Sequence, residues 1–181
     1  MKKAICSFIY YKLLGWKTNF TQPIYDKCVI CVAPHTSNWD LLMGKILWGS
    51  LGLTSHFLMK KDWFFFPLGI LFRSMGGIPV DRDKNTSLVD QMLHKIGEMD
   101  VIRLAVTPEG TRKPNSVWKK GFYYIALGAK VPIALIGLDY KTKTVFYNQV
   151  IIPTGNYDED LIKIKNYFKN FEGKKPENFK L

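Results

Sequence analysis

Three short strings bring together residue types that do acid–base or anion-binding chemistry. The first is His35-Thr36-Ser37-Asn38-Trp39-Asp40. It follows the β-branched run Lys27 to Ala33 (KCVICVA), which reads as a buried strand closed by Pro34, and it opens a helical pattern from Ser37 to Trp48. Sheets of α/β proteins gather their sites at such strand ends. Two helical positions five apart differ by about 140° around the axis. His35 and Asp40 therefore meet only if His35 stays in the loop and the loop folds the imidazole back over the carboxylate. Asp40 would then hold one ring nitrogen and fix the tautomer, leaving the other nitrogen as a base. The alternative assigns Asp40 to a capping box with Ser37, with Thr36 or Ser37 as N-cap. It accounts for Asp40 but gives His35 no task, and the residue types alone leave both open.

The second string is Thr107-Pro108-Glu109-Gly110-Thr111-Arg112, again after a buried run, Val101 to Thr107. Gly110 permits a tight turn and close backbone approach. Thr111 and Arg112 offer a hydroxyl and a planar guanidinium, a pair suited to phosphate. Glu109 only accepts hydrogen bonds when ionised; it suits a sugar or glycerol hydroxyl, or it holds Arg112. The bland alternative is a solvated turn with a local ion pair. The third string is Gly76-Gly77-Ile78-Pro79-Val80-Asp81-Arg82, in which Arg82 is either a second cationic hand for the same anion or a surface partner of Asp81. Lys60, Lys61, Lys119 and Lys120 add positive charge nearby, although lysine pairs are commonly plain solvated faces.

The elements that must position these strings alternate strand and helix, which predicts a single α/β domain with a mixed, mostly parallel sheet flanked by helices. Strands are expected at Lys27–Ala33, Ser55–Met59, Ile78–Val80, Val101–Thr107, Val131–Leu138 and Thr144–Ile151. Helices are expected at Ser37–Trp48, Asp62–Arg73 (kinked or restarted at Pro67), Thr86–Met99, Phe122–Leu127 and Asp158–Phe171. Three regions follow: an amphipathic segment over 1–26, the main domain over 27–171, and a tail over 172–181 expected to fray.

Composition narrows the function. With 181 residues, 47% apolar and 23% charged, the chain reads as one globular domain and not as a disordered one. A formal net charge of +11 points to polyanions: nucleic acid, an anionic membrane surface or phosphorylated small molecules. Cys6, Cys28 and Cys31 cannot form a disulfide framework, which points to a reducing compartment. The C-x-x-C of Cys28 and Cys31 lies inside a strand, where residues three apart face opposite ways, and no further zinc ligands stand at motif spacing. His56 and His94 read as structural. The longest apolar run, Trp63 to Phe72, is too short to span a membrane. The start, MKKAICSFIYYKLLGW, lacks a cleavage site and reads as retained. Its Lys2, Lys3, Lys12 and Lys17 beside Ile5, Phe8, Ile9, Leu13 and Trp16 suit either a helix in a membrane interface or a terminal helix packed on the core.

Taken together and in this order, the strings resemble the lysophosphatidate acyltransferase family of glycerolipid acyltransferases. The resemblance rests on the H-x4-D block His35–Asp40, the block Gly76–Arg82 ending in Arg, the E-G-T-R block Glu109–Arg112, and the apolar block Val131-Pro132-Ile133-Ala134-Leu135. Lys60-Lys61-Asp62-Trp63 through Gly69, and Trp118-Lys119-Lys120-Gly121, add to it. It covers roughly residues 27 to 140 and implies a glycerophosphate-acyltransferase-like fold. It implies transfer of a fatty acyl group from acyl-CoA or acyl-carrier protein to a lysophospholipid hydroxyl, foremost 1-acylglycerol-3-phosphate. In the implied mechanism His35 is general base, Asp40 orients it, and Arg82, Thr111 and Arg112 hold the acceptor phosphate while Glu109 and Gly110 shape the acceptor pocket. No cofactor or metal is implied beyond the thioester co-substrate. The implied location is the cytoplasmic face of the cell membrane, peripheral or monotopic, where each Lys or Arg near anionic lipid is worth about 1 kcal/mol. The family pattern differs here at HTSNWD and at Pro79, positions that shape the acceptor site, so a lyso-aminolipid acceptor is the alternative. Rival readings are a thioester hydrolase, a non-catalytic membrane-binding protein, and a basic nucleic-acid-binding module. For the last, the basic residues are scattered and no binding motif appears, so no nucleic acid is expected.

Overall fold

The KCVICVA run is the central strand of a seven-stranded sheet, because both of its faces are apolar and both are covered. In the computed structural model, which describes residues 2–81 and 87–181, the strands are β1 (Lys17–Phe20), β2 (Lys27–Ala33), β3 (His56–Lys60), β4 (Gly77–Val80), β5 (Ile102–Val106), β6 (Ile133–Asp139) and β7 (Thr144–Ile151). Their order across the sheet is β1-β7-β6-β2-β5-β3-β4. β6, β2, β5, β3 and β4 run parallel; β7 is antiparallel to β6 and carries β1 parallel to itself at the edge. The helices are α1 (Lys2–Ser7), continued by a π-helical turn Phe8–Leu13, α2 (Trp39–Leu51), α3 (Leu68–Ser74), α4 (Leu88–Glu98), α5 (Gly121–Ala129) and α6 (Tyr157–Phe168). The α/β fold expected from the sequence is the fold observed.

The period-2 alternation of the strands divides the interior into two cores. Val29, Cys31 and Ala33 face one side with Met92 and Ile96 of α4, Phe122 and Ile125 of α5, and Phe168 of α6. Cys28 and Ile30 face the other with Met43, Leu47 and Trp48 of α2, and with Tyr10 and Trp16. Cys28 and Cys31 thus lie on opposite faces, both buried, and burial pushes both thiols up, Cys28 to about 12.

Four local expectations differ from the structure. The helix expected over Asp62–Arg73 restarts at Pro67 as anticipated, α3 beginning at Leu68, but its first part is only a 3-10 turn, Lys61–Trp63, because proline restricts its predecessor and lacks an N–H. The polar edge strand β1 gives no apolar run to read and forms only by pairing with β7. Helix α2 starts at Trp39 with Asn38 as N-cap; the backbone N–H groups of Thr36 and Ser37 have another partner, described below. Residues 172–181, expected to fray, instead fold back: Tyr140 N–H donates to Glu172 O (2.8 Å), Lys175 N–H to Thr36 Oγ1 (3.1 Å), and Phe179 packs near Trp118. Its order comes from these tertiary partners, which the charged composition of the tail does not reveal.

The amino-terminal segment has two unlike faces. Cys6 packs so closely on α2 that a Cβ at Gly49 would stand 2.7 Å from its sulfur, Ser7 Oγ donates to Ser50 O (3.2 Å), and Tyr10 is fully buried. Ile5, Phe8 and Leu13 are exposed. No helix of the described residues is long and apolar enough to cross a membrane. Tyr10 carries a buried hydroxyl with no hydrogen-bond partner among the described residues, and burial raises its pKa. Tyr10→Phe should therefore raise stability by about 1 kcal/mol, by removing an unsatisfied polar group, while Tyr10→Ala should lower it by about 3–5 kcal/mol. Urea unfolding checks both; a destabilised Phe variant would mean that the hydroxyl is satisfied.

Candidate active site

Three neighbouring parallel strands, β6, β2 and β5, end on the same edge of the sheet, and each delivers part of one cluster. β2 ends at Ala33 and releases His35 into the loop before α2. Asp40, in the first turn of α2, turns its carboxylate back over that loop. Its Oδ2 accepts from Thr36 N–H (3.0 Å) and Ser37 N–H (2.9 Å) and lies 3.0 Å from His35 Nδ1. Its Oδ1 accepts from the Tyr140 hydroxyl at 2.6 Å. Asp40 is 5% exposed. An oxygen that already accepts two backbone N–H bonds acts as acceptor toward the ring as well, so Nδ1 carries the proton and Nε2 of the neutral imidazole is left bare. The His35 side chain is 15% exposed, so the ring is reachable from outside. The loop is no full capping box: the carboxylate reaches back to Ser37 N–H, but Ser37 Oγ accepts from Trp39 N–H (3.2 Å).

β5 delivers the second string. Glu109 is 3% exposed; its Oε1 accepts from His35 N–H at 2.8 Å, while Oε2 has no partner among the described residues. Burial pushes its pKa up, and the His35 N–H opposes that shift. Neither task read for Glu109 is the bond observed: among the described residues its carboxyl accepts from the His35 backbone and is not paired with Arg112. Gly110 turns the chain at φ +65°, with its N–H donating to Thr107 O (3.1 Å). Lys119 covers the turn so closely that a Cβ at Gly110 would stand 3.0 Å from Lys119 Cγ. Asn115 Nδ2 ties the loop by donating to Glu109 O and Val117 O, both at 2.9 Å. Thr111 and Arg112 then line a cleft of about 550 Å³ together with Thr36, Ser37 and Trp39 of the His35 loop.

The structure thus joins His35, Asp40 and Glu109 directly, sets Thr111 and Arg112 on a cleft beside them, and makes Gly110 the turn between. Arg82 lies outside the described residues; Asp81, its partner in one of the two readings, also accepts from Lys61 (2.6 Å). His56 accepts from Arg103 N–H (3.3 Å) and is structural as read, with its pKa lowered chiefly by burial. No group of three or more His, Cys, Asp or Glu among the described residues is arranged to hold a metal ion. Sequence reading missed Tyr140, at the end of β6. A tyrosine just past a buried parallel strand was the available signal, but only the pairing of β6 with β2 brings it to Asp40. It also missed Lys113, Lys175 and Asn178 on the cleft wall. Burial and the bond to Asp40 both raise the Tyr140 pKa, burial more, so the hydroxyl keeps its proton.

A family model described as Acyltransferase matches residues 17–138. Among solved structures, the crystal structure of the 1-acyl-sn-glycerophosphate (LPA) acyltransferase PlsC from Thermotoga maritima is similar, with a TM-score of 0.62 at 19% sequence identity over 93% of this chain and 77% of that one. At that identity the likeness is one of fold. No curated protein sequence matches the chain.

The carboxyl of Glu109 gives a pH-dependent stability. A carboxyl whose folded pKa lies above its unfolded one stabilises the fold below the unfolded pKa and loses that contribution as pH rises through the folded one. Relative to Glu109→Gln, which keeps an acceptor for His35 N–H, the wild-type chain should therefore lose stability as pH rises from the ordinary glutamate range through the raised folded pKa. Urea midpoints followed as a function of pH check this; a difference that stays constant with pH would contradict it.

Proposed function

Because the chain belongs to the acyltransferase family, we propose that it moves a fatty acyl group from acyl-CoA or acyl-carrier protein to the free hydroxyl of a lysophospholipid, with 1-acylglycerol-3-phosphate as acceptor and phosphatidate as product. The observation that carries this reading is an imidazole with a bare Nε2, held by a buried carboxylate at 3.0 Å beside a cleft with cationic walls.

The steps follow from the groups present. Nε2 of His35 takes the proton of the acceptor hydroxyl as its oxygen attacks the thioester carbonyl. The charged ring is stabilised by Asp40, whose carboxylate Tyr140 and two backbone N–H groups keep in place. The tetrahedral intermediate collapses, the C–S bond breaks, and the imidazolium returns its proton to the departing thiolate, so no acyl-enzyme forms. Base catalysis of this kind supplies about 10²–10⁴ in rate, and holding both substrates together supplies much of the remainder. Arg112 and Thr111 hold the acceptor phosphate. Glu109 keeps the His35 backbone fixed. The exposed Trp63, Phe65, Phe66, Ile70 and Leu71 face the acyl chain or the lipid surface, as do Ile5, Phe8 and Leu13. That apolar surface and the net charge of +11 support peripheral binding to an anionic membrane at its cytoplasmic face.

A panel of lysolipid acceptors offered with one acyl thioester, read by mass spectrometry, tests the reading. Acylated lysophosphatidate is the expected product; release of free fatty acid alone, or transfer only to unphosphorylated acceptors, would overturn it. His35→Ala should cut turnover by about 10²–10⁴ with an unchanged circular dichroism spectrum; near-wild-type turnover would remove the base. Arg112→Ala should raise KM for the phosphorylated acceptor by about tenfold or more, from the ~1.5–3 kcal/mol of a charge-assisted hydrogen bond, and leave an unphosphorylated acceptor unaffected. An unchanged KM would mean that the phosphate is held elsewhere.

A further inference from the structure

Residues 172–180 form a strap across the two loops of the site. At its start, Glu172 N–H donates to Asp139 Oδ1 (3.1 Å), and Glu172 O accepts from the backbone of Tyr140, the residue whose hydroxyl holds Asp40. Gly173 then lies directly on the His35 loop. A Cβ there would stand 2.7 Å from Thr36 Oγ1 and 3.0 Å from Pro34 Cβ, so glycine is what lets the strap come this close. Lys174 Nζ sits 4.5 Å over the Trp39 ring, and Lys175 N–H donates to Thr36 Oγ1 (3.1 Å). At the far end Trp118, which follows the second string, donates from Nε1 to Lys180 O (3.4 Å) and packs near Phe179. The strap is therefore pinned to the loop carrying His35 at one end and to the loop after Arg112 at the other.

Between those anchors the strap completes the cleft, to which it contributes Lys175 and Asn178. With Arg112 and Lys113, this gives the cleft three cationic side chains, and among the described residues no carboxylate lines it. The neutral polar side chains around it are hydroxyls and amides, all able to donate. Three like charges around about 550 Å³ repel one another unless an anion sits among them. The fork of Arg112 and the compact ammonium groups of Lys113 and Lys175 are the donor types that hold phosphate oxygens.

We infer that the carboxy-terminal strap is a wall of the substrate site, and that Lys175, assisted by Asn178, binds a substrate phosphate together with Arg112 and Lys113. This rests on the acyltransferase reading above and extends it to residues beyond the span 17–138 that the family model matches. The phosphate has two sources in that reaction: the monoester of the acceptor, or the phosphates of a coenzyme A donor.

Calorimetric titration of the full chain with a short-chain 1-acylglycerol-3-phosphate, and separately with coenzyme A, distinguishes them. Lys175 is exposed, so Lys175→Ala should fold normally. That variant is expected to weaken binding of one probe at least about fivefold, with Lys175→Arg staying within about twofold of wild type, in line with the loss of one charge-assisted hydrogen bond. Loss confined to lysophosphatidate assigns the wall to the acceptor, and loss confined to coenzyme A assigns it to the donor; either supports the inference. Unchanged binding of both probes by Lys175→Ala, with the wild type binding at least one, overturns the strap's role and leaves the acyltransferase reading standing. A loss that Lys175→Arg does not reduce also overturns it, since charge is then not what Lys175 supplies. Wild-type protein that binds neither probe overturns the lysophospholipid reading, and this inference falls with it.

Discussion

A buried carboxylate is tolerable only when its lone pairs are filled, and at Asp40 that requirement organises the surrounding chain. Two backbone N–H groups, an imidazole and a phenol converge on it. Removing a charge from water costs several kcal/mol unless such partners are fixed in place. Each partner therefore becomes a geometric constraint. The Thr36 and Ser37 N–H groups set the turn that carries the chain off β2. His35 Nδ1 sets the orientation and tautomer of the ring. Tyr140 ties the cluster to the strand on the other side of β2. Asp40 itself sits in the first turn of α2, where the helix dipole favours a negative charge.

The parallel sheet makes this convergence possible. β6, β2 and β5 are adjacent and run the same way, so Tyr140, His35 and Glu109 emerge at one edge although His35 and Glu109 are 74 residues apart along the chain and Asp40 and Tyr140 are 100 apart. The Glu109 bond to His35 N–H closes the arrangement from the β5 side. Its second oxygen stays buried without a partner among the described residues, so the same carboxyl that braces the loop carries a desolvation cost. The tail adds a further tie by hydrogen bonding to Thr36 and to the Tyr140 backbone. The polar centre is thus held from both neighbouring strands and from the end of the chain, and the cleft borders it at residues that directly follow His35.

What could be read in the sequence and what could not have a common physical origin. The buried parallel strand β2 announces itself as a short β-branched run and occurs over the residues expected, as does β7, which pairs antiparallel with β6. The His35 and Glu109 strings were legible because strand ends are where such sites form. Tyr140 was not, because its role depends on which strand lies beside β2, and that pairing is a property of the sheet. Strand β1 carries too little apolar signal, being made by its partner. The tail reads as a charged, frayed end because its composition buries little; its order comes from Gly173 fitting against Thr36 and from a tryptophan about sixty residues away. The amino-terminal segment left two readings open: Cys6, Ser7 and Tyr10 pack on α2 and the core as the second expects, while Ile5, Phe8 and Leu13 are exposed.

The central claim is that Asp40 holds His35 with the proton on Nδ1 and Nε2 free to act as a base. Nitrogen-15 NMR of the histidine ring in the full chain, at a pH where the ring is neutral, reads that tautomer directly. A dominant Nδ1–H form, with an unprotonated Nε2 resonance assigned to His35, is the expected result. A dominant Nε2–H form would contradict it, because a ring protonated there has no lone pair to offer an attacking hydroxyl.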